Sequence, residues 1–272
     1  MKIRVATYNI HKGVTGLRGT PRIHDVRVAL NSIDADVVFL QEVQDRNDRL
    51  VRHVKQPAGT QLDFLTAQIY DHHCYGKNAI YPHGHHGNAI LSRLPIRQFA
   101  NHDISDHALE KRGLLHAIAR GGRRKGAEVH LICVHFGLFK RSRVRQASFL
   151  VDFVRDRIPA RSPVIIAGDF NDWHKRVDDE LRQRLDVCEV TDGVKAKGGA
   201  LPRTTLLDRV LPWRRADNPS QLARTFPSFA PWLTLDRIYV RGLSVSGVRV
   251  PRGIEWARRS DHAPLIAELE FE

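Results

Sequence analysis

Two short polar clusters, each beside an apolar run, carry the residue types that phosphoester hydrolysis needs. Gly168-Asp169-Phe170-Asn171 follows the apolar residues 164–167, and Ser260-Asp261-His262 precedes the apolar run 263–269. Such runs predict buried strands, which would fix the polar side chains at their ends. An aspartate can deprotonate an attacking water, and a histidine can donate a proton to a phosphoryl oxygen. Alone, either cluster is equally typical of a turn, because Asp and Asn hydrogen-bond to nearby backbone.

Three further polar clusters occur at the ends of apolar runs. Asn9 and His11 follow the first run, Gln41-Glu42 follows the second, and Asp236 begins the third, in Leu235-Asp236-Arg237-Ile238. Five clusters with the same relation to apolar runs make coincidence a poor explanation.

Taken together and in this order, the clusters resemble the endonuclease/exonuclease/phosphatase superfamily. That group includes abasic-site endonucleases, pancreatic-type deoxyribonuclease, neutral sphingomyelinases, inositol polyphosphate 5-phosphatases and tyrosyl-DNA phosphodiesterases. The resemblance extends from Arg4 to about Leu269. It implies one catalytic domain over residues 1–272, built as an α+β, four-layer α/β/β/α sandwich of two packed, largely antiparallel mixed sheets. The active site would lie where the strand ends converge.

The resemblance also implies a metal site. Glu42 matches the principal metal ligand of the family, with Asn9 close by and Asp261 as a second carboxylate. The expected cation is Mg²⁺, with Mn²⁺ as a substitute, because Mg²⁺ takes oxygen ligands and needs only one or two carboxylates. A solvated Glu42 at the head of a charged stretch is the alternative interpretation.

The catalytic roles follow from the same resemblance. Asp169 matches the residue that orients or deprotonates the attacking water, and Asn171 matches the residue that binds the phosphate. His262 would donate to, or protonate, the phosphoryl group, and Asp236 would fix its tautomer. His135 resembles a histidine of the sphingomyelinase and deoxyribonuclease branches, where it contacts phosphate or acts as an acid.

One position departs from several nuclease members of the family. His11 stands where they carry an aspartate two residues after the asparagine, which puts a two-metal arrangement in doubt on the Asn9 side. The other clustered histidines (His72, His73, His83, His85 and His86) match no metal-binding spacing. A solvated Gly-His loop is the preferred interpretation, with His86 as a candidate to line the cleft.

The charge of the chain favours a polyanionic partner. Its 272 residues include 43 Lys and Arg against 30 Asp and Glu, a formal net charge of +13. Nucleic acid and an anionic phospholipid surface satisfy this excess equally well, and an Arg-rich genome is the alternative explanation. Arg258 and Arg259 directly precede Ser260, so they are expected to flank the cleft and meet phosphates. Basic residues also occur at 123–125 and at Arg141, Arg143 and Arg145, where a solvated outer helix face is equally plausible.

Aromatic residues near the motifs are compatible with either partner, nucleic acid or phospholipid. Trp173 can stack on a base, as aromatic residues do in single-strand binders. It can equally anchor a loop. The Pro-rich stretch 224–233 can pack its two Phe and its Trp on the core, insert them between bases, or place them in a lipid interface. It belongs to the irregular excursion 191–234, which we interpret as a long functional loop.

The elements that must position these residues can be predicted from periodicity. Helical spacing predicts helices at 21–33, 63–70 and 141–158, and apolar runs predict strands at 2–8, 37–40, 87–92, 114–119, 128–134, 164–167, 236–240, 243–250 and 263–269. Many strands with few helices between them indicate an α+β fold.

The apolar stretches and the cysteines indicate where in the cell the protein is expected. No apolar stretch has the pattern of a signal peptide or a transmembrane span, and three widely spaced cysteines form no metal-finger motif. We therefore expect a cytoplasmic protein with no obligate protein partner. The leading hypothesis is a Mg²⁺-dependent nuclease acting on DNA or RNA. A phospholipid or small-molecule phosphodiesterase at the inner membrane surface is the alternative, and a binding protein with a dead site is disfavoured because the whole residue set is present.

Overall fold

A computed structural model describes residues 1–15, 20–47, 60–122, 126–192 and 223–272. The basic tip 123–125 and residues 193–222 of the predicted excursion lie outside the described residues. No helix among the described residues is both long enough and apolar enough to span a bilayer.

The first sheet has six strands in the order β13-β14-β1-β4-β6-β5. Its members are β1 (Lys2–Asn9), β4 (Val37–Asn47), β5 (His72–Tyr81), β6 (Gly84–Ser92), β13 (Leu243–Arg249) and β14 (Leu265–Phe271). Only β1 and β4 run parallel; the other neighbours are antiparallel. Two short strands, β2 (Val14–Thr15) and β3 (Thr20–Pro21), pair with each other beside this sheet.

The second sheet also has six strands, in the order β11-β12-β10-β9-β8-β7. Its members are β7 (Ile96–Asp103), β8 (Gly113–Arg120), β9 (Glu128–His135), β10 (Val164–Asp169), β11 (Cys188–Glu189) and β12 (Asp236–Arg241). Here β9 and β10 form the parallel pair. The expected architecture of two largely antiparallel mixed sheets is confirmed.

Three apolar clusters mark the interfaces between four layers. One cluster, with Val5, Phe39, Leu131 and Ile165, fills the space between the two sheets. A second packs α1 (Ile23–Ile33) and α2 (Gln61–Thr66) on the outer face of the first sheet. A third packs α3 (Lys140–Arg157) and α4 (Arg176–Leu185) on the outer face of the second sheet. The short helix α5 (Ile254–Ala257) precedes the last motif.

Strand pairing in the second sheet sets three predicted site residues side by side. Asp169 at the end of β10 is in register with His135 on β9 and with Asp236 on β12. Gly168 makes this close pairing possible, because a Cβ at that position would lie 1.9 Å from the Val134 carbonyl oxygen. Its φ of 155° is also one that side chains disfavour.

The structure corrects several predicted elements. The second strand does not end at Leu40, as predicted, but bulges and continues to Asn47. The Gly-His segment is not a solvated loop, because Gly84 already begins β6 and the side chains of His85 and His86 are only partly exposed. Arg143 does not share the outer side of its helix: it is buried, and its guanidinium donates to the carbonyl oxygens of Gly137 and Leu138.

A buried histidine pair predicts how stability depends on pH. His116 Nε2 lies 3.0 Å from His130 Nδ1, against Phe153 of α3. Burial, with the neighbouring His130 and His102, lowers the pKa of His116 to about 4. The folded protein binds this proton less readily than the unfolded chain does. Stability is therefore highest above pH 6.5, where His116 is neutral in both states, and it falls as pH drops from 6.5 towards 4.

We expect the free energy of unfolding to fall by about 2 kcal/mol over this interval through His116. The measurement is urea unfolding between pH 7 and pH 4 for the wild type and for His116→Gln, which removes the titrating group. The difference between the two pH profiles isolates His116 from the carboxylates. Parallel profiles would contradict the assignment.

Candidate active site

Asp169 lies at the centre of the polar cluster between the sheet edges. Its Oδ2 accepts a hydrogen bond from Asn9 Nδ2 at 3.1 Å, and the same oxygen is 3.6 Å from His135 Nε2 and 3.7 Å from His262 Nε2. Asn9 ends β1 of the first sheet, so this contact joins the two sheets across 160 residues of sequence. Burial raises the pKa of Asp169 to about 6, despite the opposing effect of His262.

Asn171 is held directly beside this carboxylate. Its backbone N–H donates to Asp169 Oδ1 at 3.0 Å, and its side-chain amide donates to the Phe136 carbonyl oxygen at 2.9 Å. The φ of Asn171 is 50°, a left-handed conformation that asparagine tolerates better than most residues. The Gly-Asp-Phe-Asn motif thus turns sharply after β10 and keeps both polar side chains in the cleft.

His262 forms a close ion pair with Asp236. Its Nδ1 lies 2.8 Å from Asp236 Oδ2, and Phe226 packs against the ring at 4.9 Å between centroids. Burial alone would lower the pKa of His262, but Asp236 and Asp169 raise it to about 10. The two carboxylates therefore favour the charged imidazole, with Nδ1 facing Asp236 and Nε2 facing Asp169 at 3.7 Å.

Ser260 ties the last motif to the first strand. Its Oγ donates to the Asn9 carbonyl oxygen at 2.7 Å and accepts from the His262 N–H at 3.3 Å. One hydroxyl group therefore sets the position of His262 relative to Asn9.

His135 provides a second, uncharged imidazole. Burial, followed by the positive charges of Arg112 and His262, lowers its pKa well below 6.5. The site therefore contains two imidazoles whose pKa values are shifted in opposite directions, down for His135 and up for His262. His135 can accept a proton or donate one neutral hydrogen bond, whereas His262 carries the charge.

Glu42 projects from an irregular part of β4. The pairing between β4 and β6 shifts between Leu40 and Val43, and Glu42 has a φ of 57°. The preceding residue, Gln41, pairs with Asn9 in the parallel β1–β4 ladder, so the bulge places Glu42 just beyond Asn9. Its carboxylate is mostly covered, and Lys12 Nζ lies 3.8 Å from it.

The predicted metal ligands suit a hard divalent cation. Glu42, Asn9 and Asp261 offer only carboxylate and amide oxygens, which Mg²⁺ prefers over nitrogen or sulfur. Asn9 Oδ1 already accepts from the His11 N–H at 3.0 Å, leaving its second lone pair. Asp261 is half-exposed, with His11 Nδ1 at 3.4 Å from its Oδ2.

Asp169, Asp236 and His262 form a second group that resembles a metal site. Their ligand atoms all lie within 4.8 Å of one another. We interpret them instead as a catalytic hydrogen-bonded group. His262 Nδ1 already contacts Asp236 Oδ2 at 2.8 Å, and Asp169 Oδ2 already accepts from Asn9 Nδ2 at 3.1 Å.

The predicted substrate-binding residues differ in how exposed they are and in what they contact. Arg258 is exposed, while Arg259 is mostly covered, stacked 4.5 Å above the Trp256 ring and 3.9 Å from Glu255. Trp173 is 41% exposed, and the Arg143 guanidinium lies 4.6 Å from its ring centroid. His11 pairs with Asp261, as described above.

Sequence reasoning missed Arg112 and Lys12 and gave little weight to His86. Arg112 Nε donates to the Phe136 carbonyl oxygen at 3.2 Å, the same oxygen that positions Asn171. Lys12 and His86 both lie close enough to Glu42 to interact electrostatically. Nothing in the local sequence of Arg112 indicates this role; its position three residues after an exposed Leu109 is typical of a surface loop.

Comparison with known proteins confirms the family resemblance and the fold. The sequence profile of the Endonuclease/Exonuclease/phosphatase family matches residues 6–262. The chain is 36% identical over 269 residues to YbhP of Escherichia coli (strain K12), described as an uncharacterized protein, with 98% of this chain and 96% of that protein covered. The relative in Shigella flexneri has the same identity and coverage.

Solved structures share the fold at low sequence identity. An endonuclease/exonuclease/phosphatase from Bacteroides vulgatus superposes with a TM-score of 0.72, 16% identity and 100% coverage of both chains. D. rerio TDP2 complexed with single strand DNA product gives a TM-score of 0.65, 17% identity and 99% coverage of both chains. Because the family profile spans nearly the whole chain, this protein belongs to the endonuclease/exonuclease/phosphatase family.

Proposed function

We propose that this protein is a divalent-metal-dependent phosphodiesterase. The observation that carries the proposal is the convergence on Asp169 Oδ2 of Asn9, His135 and His262, with Asp236 behind His262. A buried carboxylate beside one charged and one neutral imidazole provides both a base for water and donors for a phosphoryl group.

The residues of this chain have separable tasks in such a reaction. Asp169 accepts the proton of the attacking water, and Asn9 and the Asn171 N–H hold its carboxylate in place. His262 donates from Nε2 to a phosphoryl oxygen, where negative charge grows as the water attacks. Asp236 keeps His262 protonated and prevents its ring from turning. His135, 3.6 Å from Asp169, would donate a further neutral hydrogen bond to the phosphoryl group.

Glu42, Asn9 and Asp261 would hold the cation, for which we propose Mg²⁺. When bound, the cation would neutralise the phosphate charge that otherwise repels a nucleophile and would stabilise the leaving oxygen. Lys12 lies beside Glu42 and must give way, or share the carboxylate, when a cation binds.

Glu42→Gln is expected to raise the Mg²⁺ concentration needed for half-maximal rate by about tenfold or more, because a neutral amide is a weaker ligand than a carboxylate. The measurement is a Mg²⁺ titration of diester hydrolysis, with Glu255→Gln on α5 as the control for an exposed glutamate. An unchanged Mg²⁺ requirement would remove Glu42 from the metal site.

Nucleic acid is the first substrate class to test. The net charge of +13 favours a polyanion, and the TDP2 neighbour is seen with a single strand DNA product. We therefore propose nuclease activity on DNA or RNA as the leading specific form of the reaction, in the cytoplasm. A phospholipid substrate is the second candidate, which the exposed apolar residues around the cleft favour.

The deciding experiment is hydrolysis of plasmid DNA, structured RNA and anionic phospholipid vesicles side by side, with Mg²⁺ and with EDTA. Metal-dependent nicking that disappears in Asp169→Ala would support the nuclease. Intact nucleic acid with released phosphorylated headgroup would support the lipid substrate. Hydrolysis of none of these, nor of a small synthetic diester, would overturn the proposed phosphodiesterase.

A further inference from the structure

Large apolar side chains are exposed around one side of the cleft. Leu109 is 96% exposed, Phe229 77% and Phe139 63%. We use the name apolar rim for the six residues Leu109, Leu138, Phe139, Trp173, Phe229 and Trp232, all of which are at least 41% exposed. Single exposed apolar residues are ordinary on protein surfaces, but a connected group marks an interaction site.

The members of the apolar rim are connected through shared neighbours. Leu109 and Phe139 line one open cavity of about 610 Å³. Beside Phe139, the Leu138 carbonyl accepts from Arg143, whose guanidinium stacks on Trp173.

Trp173, on which Arg143 stacks, lines a second cavity together with Trp232. This cavity of about 230 Å³ extends to Asp172, next to Asn171. The rim thus runs from the segment before β8, across the start of α3, to the loop before β12. Its course passes directly beside the predicted phosphate-binding residue.

The apolar rim is fixed to the catalytic elements. Leu138 and Phe139 follow His135 by only three and four residues. On the other side, the Ser228 N–H donates to the Asp261 carbonyl at 2.7 Å and its Oγ donates to the Ser260 carbonyl at 2.6 Å, so Phe229 is carried by a loop tied to the last motif. The segments that carry the rim are therefore joined to those that carry His135, Ser260 and Asp261.

Basic side chains accompany the apolar ones. Lys140 and Arg141 directly follow Phe139 and are exposed. Within the described part of the chain, neither forms an ion pair with a carboxylate, whereas the neighbouring Arg145 is paired with Asp106 at 2.6 Å. This side of the cleft therefore combines exposed hydrocarbon with uncompensated positive charge.

We propose that the apolar rim docks on an anionic phospholipid bilayer, which presents lipid-headgroup phosphodiesters to the cleft. The inference rests on the proposed phosphodiesterase chemistry, with a phospholipid as the substrate. Leu109 and Leu138 offer nothing that phosphates or base edges can bind, whereas hydrocarbon accepts them. Tryptophan suits the headgroup level of a bilayer, and Lys140 and Arg141 complement anionic lipid.

The test compares vesicle flotation of the full chain and of Leu109→Ser/Leu138→Ser/Phe139→Ser. Vesicles contain phosphatidylcholine alone or with about 30 mol% phosphatidylglycerol, a source of surface charge. Val28→Ser/Phe99→Ser is the matched control, because both residues are more than half exposed and lie on α1 and β7. Hydrolysis of soluble bis(p-nitrophenyl) phosphate confirms that each variant is folded and active.

We expect the wild type and the control to bind the anionic vesicles, and the rim variant to lose about tenfold or more of that affinity. Some wild-type binding should survive in about 0.5 M NaCl, where screening removes most of the charge attraction. Lys140→Glu/Arg141→Glu should reduce binding to anionic vesicles while leaving hydrolysis of the soluble diester unchanged.

Three results would overturn the docking proposal. The wild type could fail to bind anionic vesicles; the rim variant could bind them as the wild type does; or the rim variant could lose oligonucleotide binding or self-association instead. Vesicle binding by a protein that hydrolyses no diester would leave the docking surface standing and remove the proposed phosphodiesterase.

Discussion

Asp169→Ala is expected to lower kcat for diester hydrolysis by roughly 10³-fold, within the range of about 10²–10⁴ seen for general acid–base groups. The physical reason is that Asp169 Oδ2 is the atom on which Asn9, His135 and His262 converge. No other carboxylate among the described residues has this position between the two imidazoles. KM should change much less than kcat, because the lost group acts on the water rather than on the bound ester.

Asp169→Asn is the sharper version of the same experiment. It keeps the volume of the side chain but cannot accept the proton. Because burial raises the pKa of Asp169 to about 6, the ionised carboxylate is held in the folded protein at a cost in stability. In EDTA, Tm of Asp169→Asn should therefore equal or exceed that of the wild type, while kcat falls.

Asp156→Asn, on the exposed side of α3, serves as the control for loss of a surface carboxylate. A large fall in both Tm and kcat for Asp169→Asn would indicate that Asp169 is a structural residue. A near-normal kcat would assign the base to another group.

His262→Ala is expected to lower kcat by about 10²–10⁴-fold through loss of the charged donor to the phosphoryl group. Asp236→Asn should reproduce much of this loss without touching the substrate, because Asp236 holds His262 in its charged form and in its tautomer. The measurement is single-turnover hydrolysis of one diester by the wild type, both single variants and the double variant.

The double variant distinguishes whether Asp236 acts only by positioning His262 or acts independently of it. If Asp236 acts through His262, the double variant should be no slower than His262→Ala alone, a strongly non-additive result. Multiplicative effects would mean that Asp236 contacts the substrate or the metal itself. His116→Gln is the matched histidine control, since that ring lies on the outer face of the second sheet.

Sequence reasoning captured the motif-bearing strands because their signal is local. The apolar run 164–167 predicts the buried strand β10, with Asp169 and Asn171 at its end, and the structure has both there. Likewise, the apolar residues of 263–269 predicted β14 to within two residues at each end. Periodicity also gave α1 and α3, whose apolar faces cover the two sheets.

The features that escaped prediction depend on contacts between distant residues. The bulge that aims Glu42 arises from pairing with β6, which no property of residues 37–42 reveals. Arg143 appears at a helical position that fits an exposed face, yet the carbonyl oxygens of Gly137 and Leu138, just after β9, accept from its guanidinium and keep it buried. Arg112 reaches the site through the Phe136 carbonyl, a partner 24 residues away.

The place of β14 between β1 and β13 has a consequence for biosynthesis. Because β1 pairs with residues 265–270, and because Asp261 and His262 come just before β14, the candidate site cannot assemble until residues 260–271 have left the ribosome. A nascent chain carries Asn9, Glu42 and Asp169 long before it carries His262. A product that stops before residue 260 therefore lacks both β14 and the contacts of His262 with Asp236 and Asp169, so it cannot form the cluster around Asp169.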